Sequence, residues 1–73
     1  MNKLLVLSAE AAEYTELIQA AGLHQLEVRS ANDVATAIPL IADCNIVLGD
    51  PPLIEKLLTS AERLEWVQSS WAG

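Results

Sequence analysis

Few residues in this 73-residue chain have the type and spacing to do chemistry, and they fall short of a complete catalytic set. One histidine, His24, and one cysteine, Cys44, cannot supply the four protein ligands of a structural zinc site, and a lone cysteine cannot close an internal disulfide. Cys44 stands before an apolar run with nothing nearby to activate its thiol, so it reads as a small buried hydrophobe. His24 reads as a surface turn residue. Glu10, Glu13 and Glu16 recur along one segment as the solvated face and favourable N-terminal charge of a helix, and they imply no general acid–base pair. Two loops hold more interest. In Gly49-Asp50-Pro51-Pro52 the acid reads first as a cap or turn residue ahead of the prolines, although the same place after a strand suits a phospho-acceptor aspartate. In Ser69-Ser70-Trp71-Ala72-Gly73 the small residues allow backbone N–H groups to approach an anion closely.

These residues need elements to position them, and the order of elements is readable. Leu4-Leu5-Val6-Leu7 is apolar at consecutive positions, as in a strand covered on both faces. Ser8 offers an N-cap to a helix whose buried face is Tyr14, Leu17, Ile18 and Ala21, with Gly22 as its stop. Residues 25–29 alternate apolar and polar, the pattern of an edge strand. Ser30-Ala31-Asn32-Asp33 resembles a capping box opening a second helix, with Val34, Ala37, Ile38 and Ile41 inward and Pro39 ending its regular part near Ile38, followed by one loose turn through Ala42. Residues 45–48 form a second continuous apolar strand, and Pro51-Pro52 suit the first turn of a third helix with Leu53, Ile54, Leu57 and Leu58 as its apolar face. Residues 64–68 form the last strand, in which Trp66 packs in the core or along the edge. Alternation of strands and helices with short connections predicts an α/β parallel sheet of flavodoxin-like order 2-1-3-4 with flanking helices. The last strand leaves an open edge beside Trp66 and Trp71, so a fifth strand is expected to be missing. Ligands in such sheets bind beyond the carboxyl ends of the strands, where strand order reverses, here between residues 4–7 and 45–48. Three loops are expected to converge there or next to it: Ser8-Ala9-Glu10, Gly49-Asp50-Pro51-Pro52 and Gln68-Ser69-Ser70-Trp71-Ala72-Gly73.

Composition bounds the function. Ten acids against four scattered bases (Lys3, Arg29, Lys56, Arg63) give a net charge of −6, which argues against nucleic acid as a partner. Aliphatic runs of four or five residues are far below the ~20 needed to cross a bilayer, and the N-terminal run is too short for a signal peptide. A soluble cytoplasmic chain with no membrane partner is the expectation. At 52% hydrophobic residues the chain has material for a core, but below ~70–80 residues a core alone rarely supplies more than ~3–5 kcal/mol. The chain is therefore expected to borrow stability from a partner or to be a piece of something longer.

Val47-Leu48-Gly49-Asp50-Pro51 followed by Leu64-Glu65-Trp66-Val67-Gln68-Ser69-Ser70-Trp71-Ala72-Gly73 resembles the N-terminal part of the D-isomer-specific 2-hydroxyacid dehydrogenase family, in particular its glyoxylate/hydroxypyruvate reductase-like branch. The resemblance implies that residues 1–73 are the N-terminal portion of a substrate-binding (catalytic) domain. It implies a parent that transfers a hydride between NAD or NADP and a small 2-keto or 2-hydroxy acid, acting as a homodimer. Ser70, Trp71, Ala72 and Gly73 would then lie at the substrate, with backbone amides of this loop facing its carboxylate, although the position of Trp71 past the last strand equally suits packing at a domain interface. The dinucleotide-binding domain, the substrate-gripping Arg and the His–Glu pair of the family have no counterpart in residues 1–73. No cofactor or metal is expected on this segment, whose partner would be the rest of its own chain, and the segment alone is expected to be inactive. The competing class is a self-contained receiver-like or interaction module. A receiver would use Asp50 with Ser69 or Ser70, yet it also needs an acidic pair after the first strand, where this chain has Ser8-Ala9-Glu10.

Overall fold

Four parallel strands and three helices make up the computed structural model, which describes residues 1–23 and 25–71. In chain order they are β1 (Asn2–Leu7), α1 (Ala11–Ala20), β2 (Leu26–Ala31), α2 (Val34–Ile41), β3 (Ile46–Gly49), α3 (Pro51–Leu57), a 3-10 turn (Leu58–Ser60) and β4 (Trp66–Ser69). The sheet order is β2-β1-β3-β4, with every pairing parallel, as the alternation of elements predicts. The continuous apolar run makes β1 central: Leu5, Val6 and Leu7 have no solvent exposure, because both faces of the strand are covered.

The two faces differ in depth. On one, α2 and α3 lay Ala37, Ile41, Ile54 and Leu57 over Leu5, Leu7, Val47 and Cys44. On the other, α1 brings Ala11, with half-buried Tyr14 and Ile18, onto Leu4 and Val6. The face predicted for α1 is corrected here. Leu17 is 69% exposed and Ala21 is also exposed, so the contact stripe is Ala11, Tyr14 and Ile18, one step around the helix. Gly22 does stop the helix, at φ +65°, a conformation in which it escapes the steric penalty of a Cβ.

Three local expectations change. Asp33, rather than Ser30, caps α2: its Oδ1 accepts the Thr36 N–H at 2.7 Å, while Ser30 belongs to β2. Pro39 does not end the regular part of α2: the turn expected to be loose after it is α-helical to Ile41, with Ala42 as the C-cap. Proline removes the donor for the Ala35 carbonyl, but Ala35 and Pro39 both lie on the exposed side, where solvent can take the donor's place. Ile38 is correspondingly exposed, and Val34 only half-buried, so Ala37 and Ile41 carry the contact. At α3, Ile54 and Leu57 are buried, Leu53 is half-buried, and Leu58 is exposed.

β4 is the least covered strand. All four of its residues are exposed, and Trp66 at 62% is not a core residue. Its register explains this. Trp66 pairs with Ile46 and lies on the α1 face, yet among the described residues no helix reaches that side of β4. Glu65 and Trp66 are tied at the strand entrance by N–H bonds to the Asn45 carbonyl, at 2.8 and 3.1 Å.

Candidate functional site

Parallel register brings three loops into one row. Leu7 pairs with Gly49 and Gly49 with Ser69, so the residues that follow the strands, Ser8, Asp50 and Ser70, emerge side by side. The backbone ladder extends one step beyond the strands to fix them there. The Ser8 N–H donates to the Ala31 carbonyl (3.1 Å), the Asp50 N–H to Leu7 (2.9 Å) and the Ser70 N–H to Gly49 (2.9 Å). Sheet order reverses between β1 and β3, so this row lies at the crevice where α/β sheets bind ligands.

Gly49 permits the close approach. A Cβ at that position would sit 2.3 Å from the Leu7 carbonyl oxygen, so only glycine lets the ends of β1 and β3 remain this near.

The Asp50 side chain joins the loops. Its Oδ1 accepts hydrogen bonds from the Ser70 hydroxyl and from the Ser8 hydroxyl (3.0 Å), and its Oδ2 lies 3.0 Å from the same Ser8 hydroxyl and accepts the Ala9 N–H at 3.1 Å. The Ser70 hydroxyl holds this carboxyl below the usual carboxylate range; partial burial opposes that, and the Ala9 N–H, the Ser8 hydroxyl and the Trp71 side chain add to it. Asp50 is therefore more than a cap. Its side chain makes no capping bond to α3, whose first two residues are Pro51 and Pro52. Ser8 is likewise an organiser more than an N-cap. It is buried, its hydroxyl accepts the Glu10 N–H at 3.1 Å, and Glu10 precedes the first helical residue.

These bonds decide what the row can bind. Around the start of α1 the Ala9, Glu10, Ala11 and Glu13 N–H groups are already taken, which leaves Ala12, and the prolines at the start of α3 offer none. Neither helix start presents a cluster of free amides in a glycine-rich turn, as a dinucleotide pyrophosphate requires, so the residues described here do not fit a nicotinamide cofactor. Among the described residues no group of three or more His, Cys, Asp or Glu side chains is placed to hold a metal ion. Asp50 has a serine beside it where a metal-dependent phospho-acceptor would need acids.

Basic side chains lie elsewhere. Lys3 opens β1 and pairs with Asp43 at 2.7 Å, and Arg29 pairs with Glu27 (2.8 Å) and reaches back to Asp43 (3.3 Å) ahead of β3. Arg63 precedes β4, and Lys56 is in the last turn of α3. An anion at the crevice would depend on backbone N–H groups from this stretch.

Of the four residues expected at a substrate, Ser70 and Trp71 are at the crevice, while Ala72 and Gly73 lie outside the described residues, as does His24. Both donors of Ser70 are committed, the N–H to Gly49 and the hydroxyl to Asp50. The Trp71 N–H donates to the Ser69 hydroxyl at 3.0 Å, and the Trp71 side chain stands 59% exposed above the row. Cys44 is fully buried, its thiol donates to the Leu40 carbonyl at 3.3 Å, and burial raises its pKa, all consistent with a packing residue.

The fold and its crevice define a parallel α/β unit of flavodoxin-like strand order. No family model and no curated protein matches the chain. A solved structure does: a D-isomer specific 2-hydroxyacid dehydrogenase family protein from Aeromonas salmonicida subsp. salmonicida, 36% identical, with a TM-score of 0.92 over 99% of this chain. The chain resembles that family throughout its length, in sequence as well as in fold. It spans 23% of the length of that relative. No helix among the described residues is long and apolar enough to cross a membrane.

Proposed function

We propose that residues 1–73 form the N-terminal portion of the substrate-binding domain of an NAD(P)-dependent 2-hydroxyacid dehydrogenase. The overall reaction would be hydride transfer between a nicotinamide cofactor, held outside these residues, and a small 2-keto or 2-hydroxy acid. The match over 99% of the chain at 36% identity carries this reading. The crevice supports it, because the loop after β4 is anchored at the strand-order reversal and runs on from there into Ala72-Gly73.

Within that reading the work of this stretch is binding and orientation. Ser70 spends its donors on anchoring the loop, and the family resemblance implies that Ala72 and Gly73 supply the amides for a substrate carboxylate, with the Trp71 indole as an apolar wall of the site. The exposed β4 edge and Trp66 fit a surface completed by a fifth strand from the rest of the same polypeptide. The substrate-gripping cation and the proton-transfer pair would also come from there, in a homodimeric cytoplasmic enzyme.

The test is oxidation of NADH and of NADPH by the product of the complete reading frame, with glyoxylate and with hydroxypyruvate. Turnover of either keto acid by that product, and none by residues 1–73 alone, is expected. No turnover by the complete product with either acid would refute the dehydrogenase reading.

A further inference from the structure

The geometry points to Asp50 as a positioning residue: its carboxylate gathers the loops after β1, β3 and β4 and sets the orientation of the Ser70–Trp71 segment from which the substrate amides follow. This rests on the dehydrogenase reading for what the segment binds, but the tether itself rests on the hydrogen bonds alone. One carboxylate accepts from Ser8, Ala9 and Ser70, residues 42, 41 and 20 positions away. Its own backbone is fixed at both ends, with the N–H on Leu7 and the carbonyl accepting from Leu53 and Ile54 at the start of α3. The acceptor therefore belongs to the rigid sheet–helix junction, and the serine it holds belongs to a loop beyond an exposed edge strand. Charge-assisted bonds of this kind are the strong ones, and they hold geometry where packing does not.

A negative charge beside a carboxylate-binding loop would repel its ligand if electrostatics alone mattered. That makes the sign of the effect diagnostic. Asp50→Asn keeps the shape, removes the charge and leaves only one acceptor oxygen for three donors. In the complete reading-frame product, Asp50→Asn is expected to raise KM for glyoxylate about tenfold, about the effect of losing one good charged hydrogen bond, with KM for NADH changed less than twofold. Ser70→Ala, a milder change that keeps the fold if Asp50→Asn does not, is expected to raise the same KM about threefold. The double variant is expected to be no worse than Asp50→Asn, because the two residues act through one bond. A KM for the keto acid that falls or stays unchanged in Asp50→Asn, or strictly additive effects of the two changes, overturns the assignment.

Backbone amide NMR without substrate keeps the two readings apart. Asp50→Asn should shift the Ala9, Ser70 and Trp71 amides and leave those of α2 in place. If the wild type turns over no keto acid but these shifts appear, the dehydrogenase reading fails and the tether stands; unshifted amides overturn the tether whatever the enzyme does.

Discussion

Replacing Gly49 by alanine strikes the point at which fold and crevice meet. The new Cβ would lie 2.3 Å from the Leu7 carbonyl oxygen and 3.2 Å from the Leu7 carbonyl carbon and Cβ. Both neighbours are buried in the centre of the sheet, where Leu7 has no solvent exposure, so no flexible side chain can give way. To reach the 3.4 Å of ordinary contact, β1 and β3 must part by about 1 Å. The bond from the Asp50 N–H to that same Leu7 oxygen, now 2.9 Å, would be lost or badly stretched. Overpacking costs ~1–3 kcal/mol and a weakened backbone bond ~1 kcal/mol, while the stiffer unfolded chain returns ~0.4–1 kcal/mol. The net loss is about 1–4 kcal/mol, a large share of what a core of this size supplies. With a urea m-value near ~1 kcal/mol/M, expected for so small a unit, the midpoint should drop by about 1–4 M. Far-UV circular dichroism of wild type and variant in urea measures it, and Gly22→Ala is the control. Gly22 has φ +65° but nothing within 4 Å of its Cβ position, so it should lose only the ~1 kcal/mol of left-handed strain. Equal midpoint shifts at the two glycines would refute the steric argument.

Other perturbations separate the remaining contributions. Asp33→Ala removes the side-chain bond to the Thr36 N–H and should lower stability by about 1 kcal/mol in the same urea assay; no change would mean that water caps α2 as well. Pro39→Ala restores a donor for the exposed Ala35 carbonyl and should raise stability by ~1–2 kcal/mol, whereas a loss would show that the proline is fixed by something other than the helix. Asp33, Asp43 and Asp50 are all held below the ordinary carboxylate range, by the Thr36 backbone N–H, the Lys3 ammonium and the Ser70 hydroxyl respectively. Each is ionised in both states at neutral pH and keeps its proton off to lower pH when folded. Their contribution is therefore complete above the unfolded value of ~3.9 and is lost as pH falls through the lower folded values. Urea midpoints should be level from pH 7 to 5 and fall by pH 3, less steeply in Asp50→Asn; a midpoint that rises on acidification contradicts this.

The sheet was legible from composition of short runs. Residues 4–7 and 46–48 are apolar at every position because these strands lie inside the sheet with both faces at least partly covered, and residues 25–29 alternate because β2 is an edge. Strand order and the resemblance to the dehydrogenase family followed from those runs and from residues 64–73. Helix faces were less legible. Leu17 and Ile18 both fit a 3.6-residue period, and only the pose of α1 on the sheet decides that Ile18 packs while Leu17 does not. Pro39 was misread because propensity charges the full cost of a missing donor, whereas the exposed side of α2 lets water take its place. The Asp50 tether escaped because a capping rule looks three residues along the chain, and its partners lie 42, 41 and 20 residues away. One signal was available: in parallel strands aligned by their ends, the residues that immediately follow share a row, and here they are Ser, Asp and Ser.

A crystal structure of the complete reading-frame product with oxamate, an unreactive mimic of a 2-keto acid, tests most directly whether this crevice is the substrate site. The oxamate carboxylate is expected within hydrogen-bonding distance of the Ala72 and Gly73 amides, beside Trp71, with the Asp50 carboxylate still bonded to Ser8 and Ser70. Oxamate bound away from the carboxyl ends of β1, β3 and β4, or a loop after β4 that leaves Asp50 to receive it, would contradict the assignment.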